Sequence, residues 1–171
     1  MEKGFLARKK WDCTVALSNE NRFVSEIEDL VENFEYLEDW EDRYRYIIEM
    51  GDKVESLPEK YKTDQYKVNG CLSQVWFTAR KENEKFIFIA DSDAKIVKGL
   101  IAVLLLIYNH KTKEEIQNIN LEDYFKRLGL EGHISMNRRN GFFAMVERIK
   151  KLAGSEHDES ASTNTKNISS Y

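Results

Sequence analysis

The chain has 171 residues, of which 42% are hydrophobic and 33% charged, with one proline, eight glycines and a formal net charge of −4. That length supports one compact domain with a real core rather than two, and the composition excludes fibrous and low-complexity classes. An acidic balance without clustered excess Lys and Arg gives no groove for nucleic acid.

In chain order, residues 1–22 mix charge and apolar groups without a clear period and are expected to form a loosely ordered N-terminal extension. Its basic residues, Lys3, Arg8, Lys9 and Lys10, precede no apolar stretch of signal-peptide length. Residues 23–153 read as the folded domain. Ile27, Leu30, Val31 and Phe34 mark a first amphipathic helix, and Trp40, Tyr44, Ile47, Ile48 and Gly51 mark a second, with Asp39 as its expected N-cap. Leu57-Pro58 closes this region, because a residue before proline is pushed out of helical dihedrals.

The period then switches to two. Val75, Phe77 and Ala79 alternate with Gln74, Trp76 and Thr78, and Phe86 to Ala90 follows after a polar turn over Lys81 to Lys85. A turn of four to five residues means antiparallel pairing, and Tyr66 to Val68 is the expected third, shorter strand. Asp91, Ser92 and Asp93 are three candidate caps for a helix carrying Ile96, Val97, Leu100, Ile101, Leu104, Leu105 and Tyr108. Its far half is apolar nearly all round, so this helix should be the most buried element. The apolar run from Gly99 to Tyr108 is about half of the roughly 20 residues a membrane span needs. Two short helices (about Lys113 to Asn118 and Leu121 to Leu128) and a last one from about Asn137 to Ala153 complete the domain. Residues 154–171 are Ser-, Asn- and Thr-rich and are expected to be a disordered polar tail. The fold class expected is α+β, a small antiparallel sheet of about three strands packed against helices.

Charge is uneven along this order. Glu26 to Asp42 holds nine acids and no Lys or Arg, whereas Lys126 to Lys151 holds seven Lys or Arg against two Glu. The segments are either two solvated helix faces or, more specifically, a docking surface, since such asymmetry steers encounter.

The two cysteines, Cys13 and Cys71, have no secretory signal before them and read as free thiols in a reducing, cytoplasmic setting. No Cys or His pair has metal-ligand spacing, so no metal site is expected. Cys71 lies between Gly70 and Leu72 in a short turn joining two strands, where glycine permits positive φ and lets another backbone approach the sulfur. A lone cysteine is by itself a weak signal. Leu72, Val75 and Trp76 are the expected apolar shelter for it.

The blocks around this cysteine resemble the SufE/CsdE sulfur acceptors. They are Trp40 with Arg43-Tyr44 and Tyr46 to Gly51; Val68-Asn69-Gly70-Cys71-Leu72-Ser73-Gln74-Val75-Trp76; Ala90 to Ala94 running into Ile96 to Ala102; and His133-Ile134-Ser135 with Arg138, Asn140-Gly141 and Ala144-Met145. The resemblance spans roughly Phe34 to Ala153. It implies that Cys71 accepts persulfide sulfur from a cysteine desulfurase (SufS/CsdA-like), in a loop that swings out on binding. It further implies a fold like the IscU-type scaffolds, stimulation of the desulfurase, and relay to an iron–sulfur scaffold complex (SufBCD-like). The resemblance also implies no cofactor of the chain's own and the part of a sulfurtransferase-like accessory carrier rather than an independent enzyme; a monomer or weak homodimer is expected. By the same resemblance Gly70, Leu72, Ser73, Gln74 and Trp76 belong to the active loop, Asp93 stands opposite it, and Arg138 acts at the loop or the partner surface.

Each assignment has a plainer counterpart. Asp93 is also a natural helix cap, and Arg138 near a helix start is a solvated charge, although a guanidinium beside a thiol favours the thiolate. His133 is a candidate base for Cys71, yet a lone histidine after a glycine more often satisfies local hydrogen bonds. The alternative function is an interaction module that regulates a desulfurase without carrying sulfur. A Cys–His hydrolase ranks last for want of a local signature, and a free-standing cluster scaffold needs more cysteine ligands than one motif supplies.

Overall fold

The computed structural model describes residues 20–155, with side chains from Glu26 onward. The expected N-terminal extension up to that point, including Cys13, and the tail beyond Ser155 lie outside the described residues.

Helix α1 (Glu20–Tyr36) buries the predicted stripe, with Ile27, Leu30, Val31 and Phe34 all within the core. Helix α2 (Trp40–Asp52) follows, with Asp39 at the N-cap position in extended backbone. Its carboxylate makes no capping bond; Glu41 and Asp42 in the first turn supply the negative charge that suits the helix N-terminus. After a 3-10 turn at Glu59–Tyr61 the chain enters the sheet.

Strands β1 (Val75–Glu82) and β2 (Lys85–Ser92) pair antiparallel, from Val75 opposite Ser92 to Glu82 opposite Lys85. The expected turn of four to five residues contracts to Asn83 and Glu84, with φ of 48° and 64°. Two successive positive φ values make a type I′ hairpin, whose twist matches that of the strands. The third strand is not where the alternation placed it. Tyr66 to Val68 contributes a single bridge, Lys67 opposite Trp76, while β3 is the two-residue Lys111–Thr112 on the other edge, beside Lys85 and Phe86. The sheet is three-stranded in the order β1-β2-β3, so the α+β class stands.

Helix α3 (Lys95–Tyr108) is the core of the molecule: Leu100, Ile101, Val103, Leu104, Ile107 and Tyr108 are each at most 2% exposed. It packs on β2 and is crossed by α2. At that crossing a Cβ on Gly51 would lie 2.5 Å from the Gly99 nitrogen, and one on Gly99 would lie 2.3 Å from the Ile47 carbonyl oxygen. The two backbones therefore touch, and only glycine fits at either position. Ala94 takes the N-cap position of α3 without a side-chain bond, and none of the three expected caps fills that place. Ser92 Oγ accepts the Ala94 N–H at 3.2 Å. Asp91, 3% exposed, accepts the Leu57 and Ser92 N–H groups at 3.1 and 2.8 Å and faces the ammoniums of Lys62 and Lys98, each at 3.4 Å. Burial pushes its carboxyl upward, but the two backbone donors and the two lysines outweigh it and hold the group below its ordinary value.

Helices α4 (Lys113–Asn118) and α5 (Leu121–Arg127) match the sequence reading closely, the first closed by a Thr112/Glu115 capping box. Helix α6 (Met136–Gly154) begins at the Ser135 cap and buries Phe142, Met145, Val146 and Ile149. It also touches β1 and α3, which brings its first turns to the segment preceding β1.

Candidate functional site

That preceding segment is a loop, residues 69–74, closed at its base as a hairpin. The Val68 N–H donates to the Val75 carbonyl at 2.8 Å and the Phe77 N–H to the Tyr66 carbonyl at 2.9 Å. Gly70 has φ of +93°, a left-handed conformation that a side chain would strain, and this turn delivers Cys71 to α6. The Cys71 thiol donates to the Gly141 carbonyl at 3.5 Å, and a Cβ on Gly141 would sit 3.4 Å from the sulfur. Gly141 thus provides both the acceptor and the space against which the loop rests.

At its exit the loop is held by Asp93. The Gln74 N–H donates to Asp93 Oδ1 at 3.0 Å, and the Asp93 N–H donates to the Gln74 carbonyl at 3.3 Å. The Asp93 carboxylate therefore clamps the loop and does not cap α3. Between its bonded ends the loop rests on the long thiol–carbonyl contact of Cys71, and no side chain of residues 69–74 is fully buried.

Cys71 is half-buried in a cleft of about 380 Å³ shared by the loop and the first turns of α3 and α6. Leu72 and Ser73 also line it, as do Ile96, Leu100, Phe142 and Met145. These last four provide the apolar shelter. Of the expected shelter only Leu72 lines the cleft, and it is 83% exposed; Val75 is in the core, and the Lys62 ammonium lies over the Trp76 ring at 5.9 Å. Burial pushes the Cys71 thiol above its ordinary pKa. In the resting loop burial thus disfavours the thiolate.

Arg138 lines the same cleft, so the structure brings it together with Cys71 and Ser73. Its guanidinium lies over the Tyr44 ring at 5.9 Å and pairs with no acid among the described residues, Asp93 included. His133 is not part of the site. Its ring stacks on Trp40 with centroids 4.5 Å apart, and its backbone N–H donates to the Leu130 carbonyl. Ser135 and Asn137, to which sequence reasoning gave no site role, complete the cleft, and Ser135 Oγ caps α6 by accepting the Arg138 N–H at 3.4 Å. Gly141 stood in the sequence within the Asn140-Gly141 block of the resemblance, without a role; inside a helix a glycine costs about 1 kcal/mol relative to alanine and so asks for a reason. Among the described residues no group of three or more His, Cys, Asp or Glu could hold a metal ion, and no helix is long and apolar enough to cross a membrane.

The model of the SufE family, described as an Fe-S metabolism associated domain, matches residues 28–153. An uncharacterised SufE-like protein of Rhizobium meliloti is 40% identical over 134 residues, 76% of this chain and 96% of its own length. A second, from Rhizobium etli, is 40% identical over 138 residues, 78% of this chain and 93% of its own. The solution structure of a hypothetical protein from Thermus thermophilus shares the fold, with a TM-score of 0.61 at 20% identity over 75% of this chain and 93% of that one. The family match takes in every element that builds the cleft, from the α2–α3 crossing to the helix against which Cys71 rests, and the chain belongs to the SufE family of Fe–S metabolism associated proteins.

Proposed function

We propose that this chain accepts sulfur from a pyridoxal-phosphate-dependent cysteine desulfurase on Cys71, stimulates that enzyme by unloading it, and relays the sulfur to an iron–sulfur cluster scaffold complex. The observation that carries the reading is the resting place of Cys71: a reactive atom on a hairpin loop, sheltered in an apolar cleft, fixed by one long thiol–carbonyl contact and one carboxylate clamp. A structural cysteine has no use for a releasable loop, whereas a sulfur carrier needs both shelter from small thiols and access for a partner.

In the transfer step the Cys71 thiolate attacks the outer sulfur of the desulfurase's cysteine persulfide. A sulfur–sulfur bond forms on Cys71, the one on the partner breaks, and the partner's cysteine leaves as a thiolate that takes up the proton Cys71 gave up. No external oxidant or reductant enters. Release of the loop removes the burial that disfavours the thiolate, while Arg138 and the first turn of α6 supply positive potential at the cleft wall.

The competing reading, a module that regulates a desulfurase without carrying sulfur, is separated by one substitution. Turnover of the desulfurase is measured with increasing amounts of this protein and of its Cys71→Ser variant. The carrier predicts that the variant binds but gives no stimulation; a docking module stimulates equally well with serine.

A further inference from the structure

A second cleft, of about 470 Å³, opens beside the loop's entry, between residues 67–69 and α6. Its walls carry Lys67 on one side and Arg148, Lys150 and Lys151 on the other, against a single acid, Glu147. None of the three lysines forms an ion pair among the described residues. Arg148 donates through Nη2 to the Gln65 carbonyl at 3.2 Å, but its Nε–H is buried and has no partner among the described residues. Cationic side chains on both walls suit carboxylates, which they bind through charge-assisted hydrogen bonds. The concentration of positive charge is local: the chain as a whole carries −4.

The cleft is continuous with the Cys71 site through the chain itself. Asn69 lines it and Cys71 lines the neighbouring cleft, with Gly70 between them. A Cβ on Gly70 would lie 3.4 Å from the Cβ of Ala144, a residue of the basic cleft, one helical turn beyond the Gly141 that holds the sulfur. The basic cleft and the Cys71 cleft therefore meet at Gly70.

We infer that this basic cleft receives an acidic, carboxylate-bearing segment of the desulfurase that charges Cys71. The inference rests on the proposed carrier function and adds where the partner is gripped. Paired charges at such a rim steer encounter and fix register, and the contact with Asn69 and Ala144 couples docking to the loop.

The test uses the full chain carrying Cys71→Ser, titrated by calorimetry into a cysteine desulfurase from the same organism at low salt and at about 0.5 M salt, where exposed charges are screened. Lys67→Glu and Lys151→Glu reverse charge on opposite walls, at positions outside the core. Each is expected to weaken binding about fivefold or more at low salt, a change of about 1 kcal/mol, and to flatten the salt dependence. Unchanged affinity in both variants overturns the inference. The outcome is independent of sulfur chemistry. If the variants bind poorly while the unsubstituted chain never takes sulfur onto Cys71, the carrier reading falls and the docking inference stands. If sulfur loads normally and affinity ignores both reversals, only the docking inference falls.

Discussion

At Cys71 burial acts on the resting thiol and disfavours the thiolate. The Asp93 carboxylate helps to keep it that way, because its bond to the Gln74 N–H ties the loop's exit to the junction of β2 and α3. Such a hydrogen bond contributes about 1 kcal/mol net, so its loss should raise the population of released loop several-fold. Asp93→Ala is accordingly expected to speed alkylation of Cys71 by iodoacetamide about fivefold at neutral pH, while Asp93→Asn, which keeps an acceptor oxygen, changes it little. The sign with pH follows from burial. The resting protein reacts along a profile displaced to higher pH than a free thiol, and the Ala variant moves back towards the ordinary position. Equal rates and profiles in all three proteins would show that the carboxylate does not hold the loop.

At the scale of the elements, the α2–α3 crossing fixes the frame behind the cleft. Gly99→Ala would place a methyl group 2.3 Å from the Ile47 carbonyl oxygen, in backbone that has nowhere to go. The expected cost is about 2–3 kcal/mol of stability in denaturant titration; a loss below about 0.5 kcal/mol would mean the helices can part. The existence and type of the helices were legible in the sequence because each carries a 3.6-residue stripe: Ile27 to Phe34 and Leu100 to Tyr108 bury as their spacing requires. The hairpin was legible from the alternation of β1, though its turn was tighter than the polar run suggested. The third strand was not legible. Lys111–Thr112 is two residues long, too short to show any period, and it reaches β2 through His110 at φ of 60°, whose N–H donates to the Phe86 carbonyl at 2.8 Å. Tyr66 to Val68 had the composition of a strand, but pairing stops after one bridge because Gly70 turns the chain away. For the candidate site, Cys71, Asp93 and Arg138 stood out through the resemblance. Ser135 and Met145 lay within the resembling blocks without a role at the site and Asn137 outside them, since what brings all three to the cleft is the packing of α6 against a loop far away in sequence.

Across the whole molecule, the uneven charge seen in the sequence resolves into two different arrangements. Part of the acidic stretch is bound internally, with Arg127 of α5 in a bidentate pair with Glu28 of α1. The basic end of α6 instead gathers in a cleft that adjoins the Cys71 loop. The apolar cleft, the clamp and the basic cleft all meet at residues 67–74, so the proposed function turns on what happens to the sulfur of Cys71. The most direct measurement is the intact mass of this protein after incubation with a cysteine desulfurase, pyridoxal phosphate and cysteine. The expected result is an added mass of about 32 Da, one sulfur, that is removed by mild reduction and absent from Cys71→Ser. No added mass, with desulfurase stimulation preserved in the serine variant, would contradict the carrier role.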